Sequence, residues 1–308
     1  MSLKKSKPTP RGQKSATGKG LPKAADGRRS LPAASGAQTR QSRPVETTAE
    51  ILSNTRLAEN GFLLTLRAGV PACLPGQFVM LGLPESSQVF LRRPFSVLDH
   101  EVGKDRLRLF YSVAGKGTGI LSELCRGQEL PLLGPLGSGF PDSRKPILVL
   151  VGGGRGAVPL VFLANRGGAG NKMRGSRRVF LLVGAKSRGE LIPPGLARAS
   201  KVFVSTEDGS AGKKGVVIDL LESVSSSPDF RWSDVQLFGC GPAGMLKALY
   251  EIAAVTRIPY CASLEARMAC GLGVCHGCAV KSSGSGYLLV CRDGPVLDST
   301  AIDWETYS

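Results

Sequence analysis

The sequence predicts a multidomain fold: an antiparallel β-barrel, an α/β domain on a parallel sheet and a small cysteine module, behind a disordered basic N-terminal tail. Three observations carry that expectation. From Glu46 the chain breaks into short, closely spaced alternating runs with turns rather than helices between them, the pattern of antiparallel barrels and sandwiches. Beyond Arg144 buried-looking apolar runs alternate with helical stretches, as parallel α/β sheets require. After Ile258, four of the eight cysteines crowd into the turn-rich stretch from Cys270 to Cys291. A chain of 308 residues has room for two domains and a small third. The boundaries expected are a tail at 1–45, a barrel domain at 46–142, an α/β domain at 143–257 and the cysteine module at 258–308.

In the barrel, Thr47–Leu57, Gly61–Ala68, Gly76–Leu83, Phe95–Asp99 and Arg106–Val113 read as strands. A short helix at Gly119–Leu124 and a strand at Glu129–Leu133 complete it. Pro146–Val151 opens the α/β domain, followed by glycines and a helix at Val158–Asn165. Arg178–Gly184 and Lys201–Thr206 are further strands, Gly215–Ser223 a helix, and Val235–Gly239 leads through glycines into a helix at Ala243–Ala254. No internal repeat is visible.

Composition is that of a globular chain, 42% hydrophobic and 21% charged. No apolar run reaches the roughly 18–20 residues of a membrane helix, and the first residues lack the apolar core of a secretory signal. The net charge of +16 is concentrated: residues 1–45 hold 11 Lys and Arg against one acid, Asp26, and the remainder holds 29 against 23. Such a Ser-, Gly-, Pro- and Lys-rich segment cannot offset its ordering entropy and is expected to be disordered. A solvating tail, an organelle transit peptide and a polyanion-binding arm remain alternatives for it. No nucleic-acid partner is expected, because the tail has no aromatic residue on which a base would stack.

The strongest motif is Cys270-x4-Cys275-x2-Cys278-x12-Cys291, the plant-type ligand spacing of a 2Fe–2S cluster. Gly271 and Gly273 let the backbone wrap tightly, Gly277 relieves the turn between ligands, and the amides so exposed point at anionic sulfurs. A structural zinc site is the competing reading, but it prefers two closely spaced pairs. His276 is read as an exposed loop residue, since four thiolates complete the site. Cys73, Cys125 and Cys261 are read as buried small apolar residues.

Two glycine turns carry the second signal. Pro146-Ile-Leu-Val-Leu-Val151 runs into Gly152-Gly153-Gly154-Arg155-Gly156 and a helix, and Phe238-Gly-Cys240-Gly241-Pro242-Ala-Gly244 repeats the arrangement. A strand, a tight turn and a helix N-terminus make an anion site. Two on one sheet open along its carboxyl edge, where dinucleotides bind. The strict dinucleotide spacing is not met, and no acid stands about 20 residues on.

A one-electron cluster joined to a two-electron nicotinamide needs a converter, usually a flavin. Arg92-Arg93-Pro94-Phe95-Ser96 offers a guanidinium for pyrophosphate and a hydroxyl for a flavin ring. Gly115-Lys-Gly117-Thr118-Gly119 precedes a helix and suits the same pyrophosphate. Phe110, Tyr111 and Ser112, on the intervening strand, are further candidate cofactor contacts.

In their order, Arg93–Ser96, Gly117-Thr118, Gly152–Gly156, Cys240-Gly-Pro242 and the cysteine module resemble the ferredoxin reductase-like family. Ser263-Leu-Glu-Ala-Arg-Met-Ala-Cys-Gly-Leu-Gly-Val-Cys-His-Gly-Cys278, with Cys291-Arg-Asp-Gly-Pro295, is similar to the electron transfer subunits of NAD-dependent dihydroorotate dehydrogenase B. Thr206-Glu-Asp-Gly-Ser210 and Lys214-Gly-Val216 add to the likeness, which spans roughly residues 46–300. The resemblance implies an oxidoreductase subunit that binds FAD and a 2Fe–2S cluster and docks on an FMN-containing catalytic subunit, as a heterotetramer of two plus two. It implies electron flow from that FMN, as dihydroorotate becomes orotate in pyrimidine biosynthesis, through the cluster and FAD to NAD+. No side chain of this chain need act as acid or base, and Cys240 falls beside the nicotinamide by analogy. Free thiolates fit a reducing cytoplasm. The alternatives are a subunit of a transhydrogenase, hydrogenase or sulfite reductase complex and, more remotely, a zinc-containing nucleic-acid-binding protein. Arg155 departs from the pattern, standing where such turns usually carry an apolar residue.

Overall fold

The computed structural model describes residues 43–168, 177–197, 199 and 201–308. All of the expected basic tail but its last three residues lies outside that description. Six strands close an antiparallel barrel: β1 (Val45–Arg56), β2 (Gly61–Arg67), β3 (Phe78–Leu81), β4 (Arg93–Glu101), β5 (Arg106–Ser112) and β6 (Glu129–Leu136), in the order β1-β2-β5-β4-β3-β6. Alternation builds it: Ala49 and Ile51, Leu64 and Leu66, Leu107 and Leu109, Leu130 and Leu132 are all buried in one core, each pair two residues apart on one face of its strand. Helix α1 (Lys116–Glu123) connects β5 to β6. It begins three residues before the expected start because the Thr118 hydroxyl accepts the amides of Ala114 and Gly115.

The second sheet contains β7 (Ile147–Gly153), β8 (Arg178–Ala185), β9 (Lys201–Thr206), β10 (Lys213–Lys214) and β11 (Val235–Cys240), with helices α2 (Ala157–Gly168), α3 (Asp219–Ser225) and α4 (Ala243–Thr256). Helix α3 starts four residues later than expected. Gly215 lies at φ 132° and the Asp219 carboxylate accepts the Val216 amide, so this stretch forms the turn that leads into the helix.

The C-terminal stretch adds β12 (Tyr260–Ser263), a hairpin of β13 (Ala279–Lys281) and β14 (Tyr287–Leu289), and β15 (Val296–Asp298). Strand β12 pairs in parallel with β11 and β15 lies antiparallel to β12, so the sheet runs β10-β9-β8-β7-β11-β12-β15. The second sheet thus continues past residue 257 into the C-terminal stretch. Trp304 secures the end of the chain: it stacks on Tyr250 of α4 and Tyr260 of β12, and its indole N–H donates to the Ser299 carbonyl at 2.8 Å. Among the described residues no helix is long and apolar enough to cross a membrane.

Candidate functional site

Three features meet where the barrel faces the second sheet. The first is a cavity of about 320 Å³ between β4, β5 and the α/β domain, lined by Pro94, Phe95, Ser96, Phe110, Tyr111 and Ser112 among others. It thus gathers the expected flavin contacts of both strands. They do not contribute equally. The Phe95 and Tyr111 rings meet edge to face, 5.8 Å between centroids, within the barrel core, and the Tyr111 hydroxyl bonds Asn54 at 3.1 Å. Phe110 and Ser112 lie on the other face of β5, toward the α/β domain. Arg93 lies outside this cavity but against α1: a Cβ on Gly117 would fall 2.5 Å from its guanidinium carbon. A cation and a helix N-terminus are therefore superposed, and only glycine permits the approach. Both favour an anion. Thr118 serves as the cap of that helix.

The two glycine turns form the second feature. Strands β7 and β11 are neighbours in parallel register, with Gly152 opposite Cys240, so both turns open on one edge. They also pack on each other: a Cβ at Gly153 would lie 2.6 Å from Pro242, and one at Gly156 would lie 2.6 Å from the Cys240 carbonyl carbon and 2.7 Å from Gly241. Gly154 adopts φ 54° and Gly241 φ 154°. Beside them opens a cavity of about 630 Å³, lined by Gly153, Gly154, Gly156, Gly241, Pro242 and Glu207 among others. Cys240 is buried and lines the neighbouring cavity. Burial pushes its thiol far above the ordinary range, so it is a neutral wall and no nucleophile.

The cysteine loop is the third. Gly271 at φ 73° and Gly273 at φ 79° turn the backbone inward as expected. The left-handed residue between Cys275 and Cys278, however, is His276 at φ 57° and not Gly277, and His276 is exposed. Amides point at sulfur: Gly273 N–H donates to Cys291 Sγ at 3.1 Å, Leu272 N–H to Cys270 Sγ at 3.4 Å, and Cys291 N–H to Cys278 Sγ at 3.4 Å. Amides from Cys275 and Leu272 bring the Cys270 thiol down to about 6. Burial and the neighbouring Cys278 sulfur, 3.3 Å away, push Cys291 up to about 12. Among the described residues no three His, Cys, Asp or Glu side chains converge on a single metal-ion point. The sulfurs approach in pairs instead, Cys278 with Cys291 and Cys270 with Cys275. A two-iron cluster, with two thiolates on each iron, fits that donor set.

The loop is seated on the barrel, since a Cβ at Gly271 would strike Met80 of β3 at 2.6 Å. Met268, two residues before Cys270, lines the cavity beside Ser96 and Phe110. Two residues of backbone keep the Cα atoms of Met268 and Cys270 within about 7 Å of each other.

Of the other cysteines, Cys73 and Cys261 are buried as expected, but Cys125 is exposed. It lies in the turn between α1 and β6, where it packs into no core. One site residue is assigned no role from the sequence, and a second, Arg155, is marked there only as a departure from the glycine-turn pattern. Glu265 lines both cavities and stays exposed at the surface, and the partial desolvation of that wall raises its carboxyl. Its backbone amide and carbonyl are both held by the Tyr307 hydroxyl at 3.2 Å. Only its place inside the quoted cysteine stretch hinted at it. Arg155 also lines both cavities.

Comparison with known proteins follows this geometry. Residues 265–303 match the family model described as the iron-sulfur cluster binding domain of dihydroorotate dehydrogenase B. The chain is 37% identical over 251 residues to a dihydroorotate dehydrogenase B (NAD(+)) electron transfer subunit of Caldanaerobacter subterraneus subsp. tengcongensis, covering 80% of this chain and 94% of that one. It is likewise 37% identical over 255 residues to the corresponding subunit of Geobacillus thermodenitrificans, again 80% and 94%. Among solved structures, a chain from work on flavin-based electron bifurcation by NADH-dependent reduced ferredoxin-NADP oxidoreductase superposes with a TM-score of 0.71. That pair is 28% identical, covering 84% of this chain and 91% of the other.

Proposed function

We propose a function from one shown premise: the chain belongs to the family of dihydroorotate dehydrogenase B (NAD(+)) electron transfer subunits. It accepts electrons from a separate FMN-containing catalytic subunit that oxidises dihydroorotate to orotate, and delivers them to NAD+. The observation that carries this reading is the adjacency of the cysteine loop, the cavity of β4 and β5, and the glycine turns, with Met268 lining the cavity two residues from Cys270. When bound, FAD exchanges single electrons on one side and a hydride on the other, which neither a 2Fe–2S cluster nor a nicotinamide does alone.

The protein supplies spacing, charge and exclusion of water. Arg93 and the first turn of α1, with Gly117 admitting the contact and Thr118 capping the helix, hold the FAD pyrophosphate. Pro94, Phe95 and Ser96 with Phe110, Tyr111 and Ser112 frame the flavin ring. Gly152, Gly153, Gly154 and Gly156, facing Gly241 and Pro242, admit NAD+, and Cys240 closes the wall between the two. Cys270, Cys275, Cys278 and Cys291 hold the cluster. In this division residues 46–142 serve the flavin, 143–257 the nicotinamide and 258–308 the cluster, and the complex is a heterotetramer of two plus two in the cytoplasm.

The partner docks on the cluster loop. Leu272 and Val274 are exposed there, Val274 by 78%, and apolar side chains flanking a cofactor loop mark an interaction surface. Val274→Asp is expected to weaken co-elution of the catalytic subunit by at least about tenfold, roughly 1.4 kcal/mol, while the visible spectrum of the isolated chain stays unchanged. Undiminished co-elution would place the docking face elsewhere.

Anaerobic assay of the chain co-purified with its untagged neighbours, supplied with dihydroorotate and NAD+, tests the whole reading. NADH formation that requires both this chain and a flavoprotein partner is expected. Bound flavin and iron without dihydroorotate-dependent turnover would favour a second reading, a subunit of a ferredoxin-NADP oxidoreductase of the kind superposed above.

A further inference from the structure

Arg155 is a side chain of the glycine turn that has crossed into the barrel. Its guanidinium carbon stands 4.9 Å from the centre of the Phe110 ring, and its Nε donates to the Ser112 hydroxyl. A Cβ at Gly61, where β2 begins, would lie 3.3 Å from its Nη2. Nη1 is buried without a hydrogen-bond partner, an arrangement that is unfavourable for a polar group and more so for a charged one. The acid whose charge it feels is Glu190, which forms no salt bridge with it among the described residues. Burial lowers its pKa without displacing it from the always-charged range. The result is a half-buried, incompletely compensated cation inside the cavity lined by Ser96 and Phe110.

Such a charge needs an anion for part of the working cycle. Hydride transfer from NADH moves two electrons and one proton to a flavin, leaving NAD+ and a reduced ring that bears one negative charge. The guanidinium stacks on Phe110 and its Nε bonds Ser112, both on the β5 strand that frames the ring, and these contacts favour the ring over a dinucleotide phosphate as its partner. We propose that Arg155 sets the reduction potential of a flavin bound between Ser96 and Phe110 by stabilising its anionic reduced form. This rests on the flavin reading given above.

The test is an anaerobic redox titration of the flavin-loaded chain without its partner, comparing the natural protein with Arg155→Met and Arg155→Lys. Arg155→Met is expected to lower the two-electron potential by about tenfold in equilibrium constant, ~30 mV. Arg155→Lys, which keeps a charge but loses the planar stack, should fall between. An unchanged potential in Arg155→Met, with flavin bound, overturns the assignment. An unchanged potential accompanied by weaker NADH binding would give the charge to the dinucleotide phosphate instead, which also overturns it. A natural chain that takes up no flavin overturns the flavin reading and this inference together.

Discussion

Cys291→Ser is expected to abolish the visible iron–sulfur absorption and to reduce dihydroorotate-dependent NADH formation by more than the roughly 10–100-fold that loss of an outer-sphere partner costs at metal sites. Cys291 is only 3% exposed, so no solvent ligand replaces it readily. Its sulfur lies 3.3 Å from Cys278 Sγ and accepts the Gly273 amide at 3.1 Å, a donor placed for a thiolate. A serine oxygen is harder, shorter and far less acidic, and it would reach neither the metal nor the amide at the same geometry. The cavity proposed for the flavin has Met268 in its wall, and the cavity proposed for the dinucleotide is a separate one that Met268 does not line. Oxidation of NADH by a soluble dye should therefore survive. Loss of both activities together would mean that the loop supports the fold and is not simply a station for electrons.

The barrel and the parallel sheet were legible because their periods are. Strands β2 and β5 alternate over part of their length, burying Leu64 and Leu66 and Leu107 and Leu109, and β7 and β8 are largely continuous apolar runs, the two patterns that tertiary packing imposes on sequence. Strands β12 and β15 were not legible. Tyr260–Ser263 is four residues long and wholly buried, and Val296–Asp298 is three; neither is long enough to show a period, and the flanking cysteines drew the stretch into a separate module. Pairing with β11 decides its place, and that is a long-range fact absent from any local window.

The site divides similarly. The thiols and the glycines announce themselves by spacing, because metal geometry and backbone approach restrict the residue types that fit. Glu265 does not, and Arg155 stands out only as a departure from the turn pattern, since the roles of both come from which cavity wall they join. Tyr307, 42 residues away, holds the backbone of Glu265, and the partner of Arg155 is Ser112 in another domain. Gly277 shows the opposite error: a glycine in a tight turn invited a conformational reading, yet the strained position is the adjacent His276. Which residue of a turn is left-handed depends on the hydrogen bonds around it, and composition alone does not say.

Gly156→Ala is expected to weaken NADH binding at least tenfold while leaving the FAD spectrum intact, measured by titration of the flavin-loaded chain. The added methyl group would lie 2.6 Å from the Cys240 carbonyl carbon and 2.7 Å from the Gly241 Cα. Those are backbone atoms at the end of a central strand, which cannot rotate out of the way. Relief comes only by spreading the two turns, and overpacking of that kind costs about 1–3 kcal/mol, of which 1.4 kcal/mol is a factor of ten in binding. Gly154→Ala separates this effect from conformational strain. Gly154 sits at φ 54° with nothing within 4 Å of its would-be Cβ, so alanine there costs only the roughly 1–2 kcal/mol of a left-handed residue and pushes nothing apart. It should lower the melting temperature with a smaller effect on NADH affinity. Equal losses of affinity from the two variants would mean that flexibility of the turn, and not the closeness of β7 to β11, shapes the dinucleotide site. Wild-type affinity in Gly156→Ala would remove the site from this edge of the sheet altogether.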